Sequence, residues 1–208
     1  MPLLMRRKAL FVLLLVVFAN AADLVSTFLA SPDLADEWNI LQRHFGLGWS
    51  GLIVAKLIGG SLAYAGYVYY LRHRDHCYPG PGLDAAGFRR HFSFGRQATP
   101  GEMWSGIPVG RHLGVNLGYF WTGMQGLVLW VAVDNLLLRK GIVFPLRQWS
   151  EMAYHLFQSG IVALIVLWRF YASNYRRYRV LTGANIYQPI RQTDESAGAA
   201  LVAPSPAI

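Results

Sequence analysis

Residues 9–30 form an almost wholly apolar run, and residues 49–71 form a second. A helix rises about 1.5 Å per residue, so each run reaches about 33 Å, enough to cross a hydrocarbon core of about 30 Å. Both runs nonetheless carry groups that lipid does not tolerate: Asn20, Asp23 and Thr27 in the first, Lys56 in the second. Spaced by three and then four, Asn20, Asp23 and Thr27 fall within roughly 60° of one helical face. Asp23 stands seven positions before Ala30, and Lys56 seven positions after Trp49. Two antiparallel helices therefore bring Asp23 and Lys56 to one level. An ionised group inside a membrane helix costs about 2.5–3.5 kcal/mol even on a lenient insertion scale, and a pair offsets that cost. The spacing predicts an Asp23–Lys56 pair that fixes helix register. The alternative is a Lys56 that snorkels to the interface and pairs with nothing.

Composition places the rest of the chain in the same class. Of 208 residues, 54% are hydrophobic and only 14% charged, which fits a multi-pass membrane protein and not a soluble globule. The net charge of +8 invites a nucleic-acid reading. That reading fails because the basic residues flank the apolar runs and sort by side, as the positive-inside rule requires. The lone Cys77 excludes an internal disulfide framework and a multi-cysteine metal cage. Arg6, Arg7 and Lys8 before an apolar run, with Ala19-Asn20-Ala21 behind it, also fit a cleavable secretory signal. Continuation of the run to Ala30 favours a retained helix.

Asp23, Thr27 four residues later, Glu37 with Asn39 in the following loop, and Lys56 in the next helix make a pattern. In this pattern the region 10–70 resembles a family of small prokaryotic multi-pass membrane proteins whose domain has no assigned function. The family pattern has Pro where this chain has Ile40, and the loop before Glu37 departs from it too. The resemblance implies a membrane hairpin and no particular activity.

Along the remainder, 114–138 and 149–171 read as third and fourth spanning helices. Small residues in the second helix, Gly59, Gly60, Ser61, Ala63, Ala65 and Gly66, permit close helix approach. Tyr64, Tyr67, Tyr69 and Tyr70 read as an aromatic belt, with Trp38 and Trp49 as interfacial anchors on the other side. The 72–113 segment is basic and broken at Pro79-Gly80-Pro81-Gly82. It is expected to lie on anionic headgroups, with a short helix at 84–94 turning Phe88, Phe92 and Phe94 toward lipid. In the third helix Asn116, Thr122, Gln125 and Asp134 are polar, and Asp134 is expected to pair with Arg139 or Lys140. In the fourth, Glu151, His155 and Gln158 follow i, i+4, i+7 spacing and form a polar stripe. The basic exit with Arg176, Arg177 and Arg179 leads into a tail, from Thr182, that is expected to be disordered.

The N-terminus, the 72–113 loop and the tail from Arg169 hold fourteen of nineteen Lys and Arg. The expected fold is thus an all-α four-helix bundle in the inner membrane, with both termini cytoplasmic. This topology collects Asn20, Asp23, Thr27, Lys56, Asp134, Glu151, His155 and Gln158 in the outer half, below Glu37, Asn39 and His44 of the outer loop. Three functions fit. The first is a structural or accessory subunit held by the Asp23–Lys56 pair, with the bilayer, other membrane proteins or a second copy as partners. The second is a proton- or ion-coupled transporter using Asp23, Glu151 and His155 as protonation sites. The third is a cofactor protein, with a metal at Asp134, Glu151 and His155, or haem on His112 or His155. No nucleophile, nucleotide-loop or zinc pattern is legible, since His73, His76, Cys77 and His91 lack zinc-site spacing. The first reading is therefore preferred, with no enzyme activity, metal or cofactor expected.

Overall fold

The computed structural model describes residues 3–34, 46, 48–99, 101–102, 106–108 and 110–183. Among these residues there is helix and no strand. The helices are α1 (Leu3–Ala30), α2 (Gly48–His73), α3 (Ala85–Phe94), α4 (Gly110–Gly123), α5 (Gln125–Arg139), α6 (Pro145–Trp149) and α7 (Glu151–Leu181). A 3-10 turn, Arg74–Cys77, extends α2. Three of them, α1, α2 with its extension, and α7, are long and apolar enough to cross a membrane. The expectations placed on Glu37, Trp38, Asn39 and His44, and on the tail beyond Gly183, lie outside the described residues.

Helix α1 runs unbroken through Ala19-Asn20-Ala21. It lies along α5 and α2, while α2 lies along α4. The small residues of α2 act selectively. Gly60 faces α1, where an added Cβ would stand 3.2 Å from Val16 Cγ1. Ala63 is fully buried, and Gly66 meets Gly118 of α4 backbone to backbone. Gly59, by contrast, has open space around it, and Ser61 and Ala65 are exposed. Thr122 locks the same contact. Its hydroxyl lies 2.8 Å from the carbonyl oxygens of both Ala63 across the interface and Gly118 in its own helix.

The single helix expected at 114–138 is two helices in tandem, and it begins four residues earlier. The step is slight, because Met124 keeps a helical conformation and its N–H donates to Phe120 O at 3.0 Å. Gly123 explains the place of the step. A Cβ there would lie 2.4 Å from Val166 Cγ1 of α7, so α7 packs directly against bare backbone.

Two further expectations are corrected where α2 and α7 end. Helix α7 does not stop near residue 171 but continues to Leu181. Its buried stripe of Val166, Phe170, Asn174 and Tyr178 keeps helical period into the basic exit. Nor does α3 turn Phe88 and Phe92 to lipid: both are fully buried, against Tyr78, Tyr178 and Phe170. An aromatic protein surface supplied by the extended α7 takes the place of the bilayer. Tyr70, read as part of a belt, belongs to the same core, whereas Tyr69 is exposed and stacks on His73. Asp84 caps α3 by accepting from Gly87 N at 2.7 Å, and Gly95 ends it in the left-handed conformation at φ 75°.

A methyl group at Gly118 would stand 2.2 Å from Gly66 O, a backbone atom that cannot step aside. Gly118→Ala is expected to destabilise by about 1–3 kcal/mol through forced separation of α2 and α4. Gly126→Ala, where nothing lies within 4 Å, is expected to be neutral or slightly stabilising. Thermal unfolding of the two variants in detergent checks both.

Candidate functional site

The polar face of α1 divides its residues between two neighbours. Asp23, 4% exposed, pairs with Lys56 of α2. Asn20 Nδ2 donates to Val16 O at 2.8 Å and to Gln125 Oε1 of α5 at 2.9 Å. One turn beyond Asp23, Asn135 Nδ2 of α5 donates to Ser26 Oγ at 3.4 Å and Thr27 Oγ1 at 3.3 Å. Ser26 in turn donates to the Asp23 carbonyl at 2.9 Å. Asn20, Asp23, Thr27 and Lys56 thus all lie in helix–helix contacts. Gln125, Asn135 and Ser26 complete them.

The second polar centre is organised by Arg147, which was not singled out from the sequence. Its Nη1 donates to Asp134 Oδ2 at 2.6 Å, and its Nη2 and Nε donate to Glu151 Oε1 at 2.9 and 3.2 Å. Tyr154 OH donates to the other Asp134 oxygen at 2.8 Å. Asp134 is 2% exposed, so both its oxygens are held by protein donors. The expected partners Arg139 and Lys140 are instead exposed, and this corrects that assignment. Local structure explains the choice. Pro145 starts α6, which carries Arg147 back over the bundle, and extended Ser150 separates it from α7. Ser150 then caps α7, accepting from Ala153 N at 3.2 Å. The i, i+4 relation of Arg147 and Glu151 was the available signal, obscured by the Ser150 break between them.

These polar residues therefore form two centres on neighbouring elements. Asn135 ties to the α1 face and its neighbour Asp134 to Arg147 and Tyr154. Glu151 is engaged by Arg147, and His155 packs its ring 5.5 Å from that of Tyr154. Gln158 is buried at 6% exposure, and neither amide atom has a hydrogen-bond partner among the described residues.

For cofactor chemistry, no group of three or more His, Cys, Asp or Glu side chains able to hold a metal occurs among the described residues. His112 shares a hydrogen bond of 2.8 Å with Phe92 O, and its ring lies 6.2 Å from that of His91. Burial, reinforced by His112, holds His91 below the ordinary imidazole range. Cys77 is buried in the aromatic core. Where α2 and α7 end, Asn174 Oδ1 accepts from Tyr70 and Tyr78 at 3.1 Å each, and Arg177 grips Asp75 through two bonds of 2.8 and 2.7 Å.

Two outcomes follow from this geometry. Arg147→Met strands the buried Asp134 carboxylate and is expected to cost about 3–5 kcal/mol. Arg139→Ala and Lys140→Ala are expected to change stability by under about 0.5 kcal/mol. Unfolding in detergent distinguishes them. His91 binds its proton less readily folded than unfolded. Its neutral form therefore stabilises the fold fully above about pH 6.5, and that contribution fades as pH falls below it. The unfolding midpoint is expected to drop on acidification, with a shallower drop in His91→Gln, as a pH series of thermal scans will read.

Compared with known proteins, this chain matches no family model, no curated protein and no solved structure.

Proposed function

We propose that this chain is an inner-membrane protein of a prokaryotic cell with four membrane-spanning segments, both termini cytoplasmic, and a structural or accessory role. In this reading α4 and α5 together make the third crossing, since 30 residues in tandem reach about 45 Å. The fourteen basic residues at the N-terminus, in the 72–113 segment and from Arg169 onward set the orientation. The resemblance carried by Asp23, Thr27 and Lys56 remains a proposal of the same kind, supported by the Asp23–Lys56 pair at the level that the pattern implies.

The observation that carries the reading is where the polar groups go. Asn20, Asp23, Thr27, Lys56, Asp134 and Glu151 all bond to groups of this same chain. A transport route needs such groups to face a common polar space. A scaffold needs them to face each other, because unpartnered polar groups in lipid cost several kcal/mol. Gln158 is the exception, and it is the observation on which a transporter reading has to rest.

The test is a double-mutant cycle with a flux control. Asp23→Leu and Lys56→Met alone each leave one charge in the bundle and are expected to cost about 3–5 kcal/mol. The double variant is expected to cost less than either single variant, which requires a coupling of more than about 3 kcal/mol. In proteoliposomes, the unmodified protein is expected to leave an imposed pH gradient intact. Gradient collapse that disappears in Asp23→Asn would overturn the structural reading in favour of transport.

A further inference from the structure

Where the end of α3 meets α4 and α7, a cavity of about 270 Å³ lies apart from both polar centres. On α4 its lining runs from Leu113 to Phe120 and on α7 from Val166 to Tyr171, so it is about 10 Å tall. Rings of Phe94, Phe120 and Phe170 face it. Leu117 of α4 and Leu167 of α7 also line it and are 54% and 39% exposed, so its rim is apolar. Among the described residues that line it, none is charged.

Four polar side chains complete the lining: Ser93, Asn116, Tyr119 and Tyr171. The Tyr119 hydroxyl is engaged by Ser173. Ser93 Oγ and Tyr171 OH lie 2.7 Å apart, and Ser93 is buried. One of these hydroxyls donates to the other, so one of the two hydroxyl hydrogens is left over. Asn116 Nδ2 donates to His112 O at 2.7 Å, and among the described residues that is its one hydrogen bond. Its carbonyl oxygen therefore still has room for a donor. An apolar cavity thus presents a spare hydroxyl hydrogen and a spare amide oxygen, and leaving such groups unmet away from water is costly.

We infer that this cavity binds a phenol, a neutral aromatic ring whose hydroxyl accepts from the Ser93–Tyr171 pair and donates to Asn116. The inventory of donors and acceptors selects this chemistry. A quinone only accepts and leaves the Asn116 oxygen unmet. A carboxylate or an amine brings a charge for which the lining holds no counter-ion. Size agrees. A cavity of about 150 Å³ takes a benzene ring, and one of about 270 Å³ takes two fused rings. An acyl chain needs the depth of a leaflet, about 15 Å, and does not fit the height. The aromatic wall adds ring-to-ring contacts, and the leucine rim admits a ligand that dissolves in hydrocarbon. The inference is independent of the structural role proposed above, since it needs only the cavity and its lining.

Equilibrium dialysis of the full-length protein in detergent, against protein-free micelles as the blank, gives the test with naphthol as the probe. Saturable retention of naphthol is expected. Asn116→Leu is expected to weaken it by about two- to tenfold, the worth of one hydrogen bond, while retention of naphthalene stays unchanged. Ser93→Ala combined with Tyr171→Phe removes the spare hydroxyl and is expected to act in the same way. Leu117→Phe and Leu167→Phe narrow the mouth from opposite helices, and each is expected to release both compounds. Two rim variants guard against one misfolding. Naphthol held no more tightly than naphthalene, equal loss of the two in Asn116→Leu, or retention unchanged in both rim variants overturns the proposal. So does tighter binding of naphthoquinone or naphthoate than of naphthol.

Discussion

The pairing of Asp23 with Lys56 is the interaction on which the rest of this bundle depends. Lipid supplies no partners, so a charge placed there must find one within the chain, and the cost of missing it exceeds that of a poorly packed apolar contact. Once Asp23 and Lys56 meet, the axial register of α1 against α2 is set. Gly60 then falls beside Val16 and Asn20, where a Cβ would stand 3.2 Å from the Val16 side chain. With Asp23 committed to α2, the flanking Asn20, Ser26 and Thr27 are turned to α5, where Gln125 and Asn135 receive them. One ion pair thus orients α1 about its own axis, and the orientation decides which helix receives each polar group.

That dependence has a length scale. The α2–α4 contact lies further down α2, where Gly66 and Gly118 touch and the Thr122 hydroxyl bridges to Ala63. Close backbone approach gains dispersion contact but is unforgiving of any axial slip, because one added Cβ already overlaps a carbonyl oxygen. The ion pair and the glycine contact constrain the same helix from opposite neighbours. Beyond them, Tyr70 and Leu71 anchor the far end of α2 in the aromatic core.

How much of this was legible in the sequence follows from the range of the interactions. Asp23 and Lys56 could be matched because apolar run lengths alone place both at one depth. The close-packing role of Gly60, Ala63 and Gly66 was legible as a class, though not which of the neighbouring small residues would be used. What escaped were contacts set by tertiary folding of loops. Arg147 lies beyond a helix break, so helical periodicity does not deliver it to Asp134, and Arg139 and Lys140 are the nearer cations in sequence. Phe88 and Phe92 have an amphipathic spacing that fits a membrane surface as well as a protein core. Only the extension of α7, with Phe170 and Tyr178, makes the difference, and the arginines there disguised helix as tail.

The manner in which α7 is held completes the argument. Its two ends are bound by polar networks: Tyr154 and Glu151 to Asp134 and Arg147 at one end, Asn174 and Arg177 to Tyr70, Tyr78 and Asp75 at the other. Between them it rests on α4 through Val166 at Gly123, while Leu156, Leu164 and Trp168 stay exposed. Apolar contacts in the middle of a membrane helix exchange lipid for protein at little gain, because lipid tails are as apolar as leucine. The seating of α7 is therefore decided at its ends, where Asp134 is buried beside Arg147 and Tyr154, and Asn174 is buried beside Tyr70 and Tyr78. The same reasoning gives the loop elements their size. The α6 segment has five residues because it needs only to bring Arg147 over Asp134. The α3 segment needs two turns and more because it has to bury an aromatic face.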